Sequence, residues 1–162
     1  MKIDSEGNTI WYKTCPSVPQ SHPEAFTRSD EGFIVAGYQY EEMKSWTRKN
    51  LYLLGVDEDG NKTWEKTYSK ENHLEARDII PDGDGFIVAG TYGQEEQPWG
   101  SIYLLKIDSH GNQIWETTIP YCRDANAIAE GGDGGLVLVG RDVFYAAKIT
   151  GRPPQNQGGT GT

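Results

Sequence analysis

The fold is decided by a stretch that recurs along the chain, and its clearest copy is Tyr103-Leu104-Leu105-Lys106-Ile107-Asp108-Ser109-His110-Gly111-Asn112-Gln113-Ile114-Trp115. Its central Asp-x-x-Gly-Asn pattern also occurs at 4–8 and 57–61, each time with a Trp three residues after the Asn. The three Asp residues are separated by 53 and then 51 positions. Asp can bond the backbone that follows it, and Gly supplies the positive φ that a tight turn needs. Each copy therefore predicts a hairpin turn between two strands.

A second block keeps the same period. Gly-Phe-Ile-Val-Ala-Gly occupies 32–37 and 85–90, and Gly-Leu-Val-Leu-Val-Gly occupies 135–140. These runs are short, rich in β-branched residues and bounded by glycine, as buried strands are. One repeat then holds four antiparallel strands, which in the middle repeat are predicted over 75–80, 86–91, 101–107 and 112–119. Four strands in about 50 residues are the unit of a β-propeller blade, so we expect an all-β propeller fold.

The strand count predicts how the chain is organised. We expect twelve strands that make three blades within residues 1–150, followed by a flexible tail over 151–162. The last blade lacks a fourth strand, which the N-terminal segment would supply. Closed propellers typically have four to eight blades. Either two chains therefore form a six-bladed ring, or the chain is part of a longer propeller.

Composition excludes several classes of protein. The 162 residues carry a formal net charge of −9, whereas binding to a nucleic acid backbone needs a basic face. Aromatic residues make up 11 %, far more than a disordered acidic chain would have. No apolar run approaches the roughly 20 residues of a membrane span. The Met1-Lys-Ile-Asp start has no apolar region of the kind that marks a signal peptide.

Residue types that hold metals or perform catalysis are present but lack the necessary spacing. His22, His73 and His110 are scattered, and Cys15 and Cys122 are 107 positions apart. Whether the two cysteines form a disulfide stays open. Acidic turns such as 57–61 are explained by turn chemistry and lack the full calcium-loop pattern. We expect no metal and no cofactor.

The combined motif resembles a known family. Asp-Gly-[Gly/Phe]-[Phe/Leu]-[Ile/Val]-[Val/Leu]-[Ala/Val]-Gly, followed by Tyr-Leu-Leu-Lys-Ile-Asp-x-x-Gly-Asn-x-x-Trp, is similar to the β-propeller repeats of bacterial and archaeal surface proteins, over residues 1 to about 150. The resemblance implies an interaction or scaffold module in an extracellular or cell-surface setting. The Asp-x-x-Gly-x-x-x-Trp part also resembles the Trp-docking repeats of quinoprotein dehydrogenases. That pattern has one more residue before the Gly, which counts against a quinone cofactor here.

Two long connections between second and third strands give the candidate site. The segments 38–46 and 92–99 each place a Glu pair shortly before an extra Trp, and the two Trp residues are 53 positions apart. Insertions in repeat proteins usually map to one face, which is often the binding face. The other interpretation is a Trp folded onto its own blade beside solvated carboxylates. The expected ligand-binding set is Trp46, Trp99, Tyr40, Tyr92, Glu41, Glu42, Glu95 and Glu96.

Two functions from different classes follow from these features. The first is a non-enzymatic module that binds a protein or a carbohydrate through the rim loops. The alternative is a hydrolase or lyase domain whose site lies in the central channel, where Glu24, Glu75, Arg77, Arg123 and Asp124 would converge. Glu24, Glu75 and Asp124 align as equivalent acids of the three repeats. An acid repeated in every blade indicates a structural pattern and counts against the enzyme hypothesis. The recurring Trp11, Trp64 and Trp115 are expected to pack between blades.

Overall fold

The computed structural model describes residues 1–14, 20–94, 100–120, 122, 124–132, 134–140 and the strand at 146–149. Within these residues the protein is all-β and contains no helix. The described residues form thirteen strands, one more than the expected twelve, because that sum counted the two predicted strands of the N-terminal hairpin as one. They are β1 (Lys2–Ile3), β2 (Thr9–Trp11), β3 (Ser21–Ser29), β4 (Gly32–Glu42), β5 (Thr47–Asp57), β6 (Lys62–Tyr68), β7 (His73–Asp82), β8 (Gly85–Gly93), β9 (Ser101–Asp108), β10 (Gln113–Pro120), β11 (Ala127–Glu130), β12 (Leu136–Val139) and β13 (Ala146–Ile149).

The strands form four antiparallel sheets in chain order. We call them sheet I (β1–β2), sheet II (β3–β6), sheet III (β7–β10) and sheet IV (β11–β13). Sheets II and III have the same register, since Gly32 pairs with Asp57 as Gly85 pairs with Asp108. Because β2 pairs with β1, the suggested completion of the last blade by the N-terminal strand stays a prediction. The predicted tail at 151–162 lies outside the described residues.

Sheet III is packed on both of its faces, because neighbouring residues of a strand point to opposite sides. Val88 and Leu105 belong to a core shared with sheet II, where they meet Leu53. Ile87 and Leu104, the preceding residues, belong to a second core shared with sheet IV. The continuous apolar run at 85–90 is therefore a strand buried on two sides, whereas the runs in β4 and β12 alternate between buried and more exposed residues.

The Asp-x-x-Gly-Asn turns are built alike. In the turn of sheet II, Asp57 Oδ1 accepts the backbone N–H of Asp59 at 3.0 Å and of Asn61 at 2.7 Å, while Oδ2 accepts Asn61 Nδ2 at 2.8 Å. The turns that begin at Asp4 and Asp108 have the same three bonds. The prediction of a hairpin turn at each copy is confirmed.

Two of these turns also join neighbouring sheets. A Cβ added to Gly60 would lie 2.7 Å from the ring of Trp11, and one added to Gly111 would lie 2.6 Å from the ring of Trp64. Both glycines have positive φ, so a side chain is disfavoured by the backbone as well. Trp115 lies in the core between sheets III and IV. The structure therefore places all three recurring Trp residues between sheets.

Candidate functional site

Within the described part of the predicted rim, the β4–β5 hairpin carries the most exposed side chains. Its tip is closed by a hydrogen bond from the Met43 N–H to the Trp46 carbonyl at 2.9 Å. Trp46 is 44 % exposed and Met43 is 38 % exposed. The Trp46 ring meets the ring of His73 edge to face, with centroids 5.7 Å apart. His73 begins β7 in sheet III, so the hairpin of sheet II is braced against the next sheet and its apolar tip faces solvent.

Glu41 is tied down beside this tip. Its Oε2 receives Arg48 Nη2 at 2.6 Å and Asn50 Nδ2 at 2.8 Å. The Asn50 amide, followed by the Arg48 guanidinium, lowers the pKa of the Glu41 carboxyl. Glu42, which pairs with Thr47 across the ladder, is exposed. Both carboxylates of the pair are exposed, and Glu41 differs in being bonded to Arg48 and Asn50.

Tyr40 belongs to an aromatic cluster that the sequence analysis missed. The rings of His22 and Tyr38 are stacked with centroids 4.9 Å apart, and Tyr40 meets Tyr38 edge to face at 5.5 Å. Lys49 Nζ lies 5.2 Å from the centroid of the Tyr38 ring, within cation–π range. Burial, the largest influence, raises the pKa of Tyr38. The alternation of Tyr38 and Tyr40 along β4 was the signal that could have found the cluster.

Three residues of the channel hypothesis, Glu24, Glu75 and Arg77, meet in a chain of ion pairs. Glu75 Oε1 lies 3.2 Å from Lys49 Nζ, and Glu75 Oε2 lies 2.8 Å from Arg77 Nη2. Arg77 Nη1 lies 3.5 Å from Glu24 Oε2. Asp124 accepts Thr91 Oγ1 at 3.4 Å, whereas Arg123 lies outside the described residues. Glu75 is buried between two cations, which favours a structural role.

The alignment of three equivalent acids is wrong by two residues at Glu24. β3 has a bulge between Pro23 and Ala25, and β7 has one between Ala76 and Asp78. Since Pro23 pairs with Gly37 as Ala76 pairs with Gly90, the structural equivalent of Glu24 is Arg77. A Cβ added to Gly37, Gly90 or Gly140 would lie closest to one backbone oxygen in each case. That oxygen belongs to His22, Glu75 and Asp124, respectively. These three positions are the equivalent ones, and two of them carry an acid while the third carries His22.

The other half of the predicted rim is only partly described. Tyr92 is half-buried at the end of β8, and its hydroxyl accepts Asn72 Nδ2 at 3.4 Å. Glu95, Glu96 and Trp99 lie outside the described residues, so their expected position beside Trp46 stays a prediction. Cys122 is half-buried, and Cys15 also lies outside the described part. The pairing of the two cysteines therefore stays open.

Two features are absent from the described residues, a metal-binding group and a membrane-spanning helix. They contain no group of three His, Cys, Asp or Glu side chains able to hold a metal ion. They also form no helix of the length and apolarity that crossing a membrane requires. In comparisons with known proteins, no family model and no curated protein matches the chain.

Proposed function

We propose that the chain is a non-enzymatic interaction module, a portion of a β-propeller with three blades, that binds a protein partner through the β4–β5 hairpin. Two observations support the propeller part of this proposal. Consecutive antiparallel sheets pack face to face, and Trp rings join one sheet to the turn of the next. The proposed assembly is a six-bladed ring of two chains or a longer propeller. The surface setting rests on the family resemblance alone.

The exposed pair of Trp46 and Met43 carries the functional proposal. Trp and Met are enriched at protein interfaces, and a Trp braced on one side loses little freedom when a partner covers the other. His73 provides that brace in the free protein. The exposed side chain of Glu42 and the net charge of −9 select a partner whose contacting segment carries Lys or Arg.

The two other candidate activities have weaker support. A carbohydrate could stack on Trp46, but the neighbouring Glu41 already accepts two side-chain donors. A hydrolase or lyase would need a free acid in the channel, whereas Glu75 is paired with Lys49 and Arg77. Carbohydrate binding is one outcome of the binding measurement on Trp46→Ala.

The test is the variant Trp46→Ala, measured against an array of basic peptides and an array of glycans. The control is Phe26→Ala, since Phe26 is also an exposed aromatic residue but lies on β3. We expect peptide binding that Trp46→Ala weakens about tenfold or more and that Phe26→Ala leaves unchanged. Added salt should weaken the binding further, because the charged contacts are exposed. Binding to glycans alone, or peptide binding that survives Trp46→Ala, would contradict the proposal.

A further inference from the structure

A cleft of about 380 Å³ opens on the outer part of sheet III. It adjoins the β4–β5 hairpin, since Arg48 Nη1 donates to the Lys70 carbonyl at 2.9 Å, but neither Trp46 nor Met43 lines it. Its volume is at the lower end of the range for small-molecule sites. It is lined by Lys70, Tyr92, Tyr103, Glu116, Thr117 and Thr118.

One wall of the cleft is a fixed polar network. The hydroxyl of Tyr103 donates to Glu116 Oε2, and the ammonium group of Lys70 binds Glu116 Oε1. Lys70 belongs to the connection between β6 and β7, so its bond to β10 fixes that connection against the outer strand of sheet III. A site whose polar groups are already held in place loses little entropy on binding.

The protonation states of this network leave the cleft neutral overall. Burial, assisted by the hydrogen bond to Glu116, raises the pKa of Tyr103 far above its usual value, so Tyr103 remains a hydroxyl donor. Burial also acts to raise the pKa of Glu116, but the bonds from Lys70 and Tyr103 outweigh it and lower the pKa overall. Glu116 is therefore ionised at neutral pH, and Lys70 balances its charge.

The remaining lining residues supply an aromatic ring and hydroxyl groups. Tyr92 is half-buried, and Asn72 holds its hydroxyl, which fixes the ring at the edge of the cleft. Thr118 is exposed and lies on the same face of β10 as Glu116, so it adds a hydroxyl that can both donate and accept a hydrogen bond. The side chain of Thr117, the residue between them, points to the opposite face of the sheet.

We propose that this cleft binds a neutral, hydroxyl-rich small molecule of the sugar class. Each carboxylate oxygen of Glu116 accepts a donor from the protein and has lone-pair capacity for a further one, so it accepts ligand hydroxyls. Lys70 has three N–H donors, and those beyond its bond to Glu116 serve ligand oxygens. The face of Tyr92 covers the apolar C–H face of the sugar ring. Since the charges of Lys70 and Glu116 cancel, a charged ligand gains no advantage there.

The experiment titrates glucose, galactose, mannose and N-acetylglucosamine against the wild-type chain by saturation-transfer NMR, with glucosamine and glucuronate as charged analogues. We expect at least one neutral sugar to bind, more tightly than both charged analogues and with little dependence on salt. Tyr92→Ala and Glu116→Gln should each weaken this binding about tenfold, the usual loss when a charge-assisted bond or a main contact is removed.

The matched control is Glu65→Gln in sheet II. Glu65 lies opposite Leu54 as Glu116 lies opposite Leu105, and it likewise accepts a tyrosine hydroxyl, that of Tyr52, at 3.4 Å. This variant should keep the affinity within about twofold. Circular dichroism checks that each variant is folded, and Tyr92→Ala decides alone if Glu116→Gln unfolds. The proposal is overturned if none of the four neutral sugars binds, if Tyr92→Ala leaves binding unchanged, or if Glu65→Gln weakens it equally. It does not depend on Trp46, so the two proposals fail separately.

Discussion

The interface between sheets II and III and the interface between sheets I and II use the same contact but differ in what surrounds it. At both, a Trp ring covers the glycine of the next turn, Trp64 on Gly111 and Trp11 on Gly60. Between sheets II and III this contact borders a core of fully buried aliphatic side chains such as Leu53. Between sheets I and II it is accompanied by polar contacts, including Lys2 Nζ to Glu58 Oε2 at 3.3 Å and Trp11 Nε1 to the Glu58 carbonyl at 3.3 Å.

The difference shows which part of the interface provides stability. Ile3 and Ile10 of sheet I remain 53 % and 57 % exposed, so the hairpin buries little apolar area, whereas Leu53 is completely buried. Hydrophobic stabilisation is proportional to the apolar area removed from water. The Trp–Gly contact therefore orients neighbouring sheets, and the aliphatic core determines how strongly they are held.

The largest effect is expected in the core between sheets II and III. Leu53→Ala should lower the free energy of unfolding by about 2–5 kcal/mol, because it removes a fully buried side chain and leaves a cavity. Ile10→Ala in the exposed hairpin should change it by no more than about 0.5 kcal/mol. Urea denaturation followed by fluorescence measures both. Equal losses for the two variants would show that sheet I is as firmly packed as sheet II.

An effect of intermediate size is expected at the two Trp–Gly contacts, where the two Trp→Ala variants should lose different amounts of unfolding free energy. Trp64 is half-buried against the core, so Trp64→Ala should cost roughly 2–4 kcal/mol, somewhat below the loss for a fully buried Trp. Trp11→Ala should cost less than about 1 kcal/mol, since only the turn of sheet II lies beneath its ring. Hydrogen exchange should then show faster exchange in β1 and β2 alone. Global destabilisation by Trp11→Ala would mean that the hairpin belongs to the cooperative unit.

The sequence predicted the features that depend on local chemistry. The turn at Asp57, the strands around it and the position of Trp64 between sheets all follow from a repeated pattern of residues. The equivalence of Glu24 with Arg77 follows from the 53-residue period and was missed, because the Glu-Ala pairs at 24–25 and 75–76 suggested a different alignment. Which cation Glu24 meets could not be predicted, because that depends on how β3 packs beside β7. The contact of Trp46 with His73 escaped prediction for a related reason, since it depends on how two sheets are packed together.

The smallest effect concerns the pH dependence of the turns and again compares sheet II with sheet I. The Asn61 side chain, followed by its backbone N–H, lowers the pKa of Asp57 from its usual 3.8, and Asn8 does the same for Asp4. A carboxyl whose pKa is lower in the folded than in the unfolded state contributes stability that is complete above pH 3.8. This stability is lost as the pH falls through the lower, folded-state pKa. Asn61→Ala should therefore reduce the loss of stability between about pH 7 and about pH 3, whereas Asn8→Ala should leave it unchanged because sheet I is weakly attached. Urea denaturation at both pH values gives the two differences. If Asn61→Ala keeps the wild-type pH dependence, the Asp57 turn does not contribute to acid sensitivity. If Asn8→Ala also reduces the loss of stability at low pH, the N-terminal hairpin unfolds together with the core.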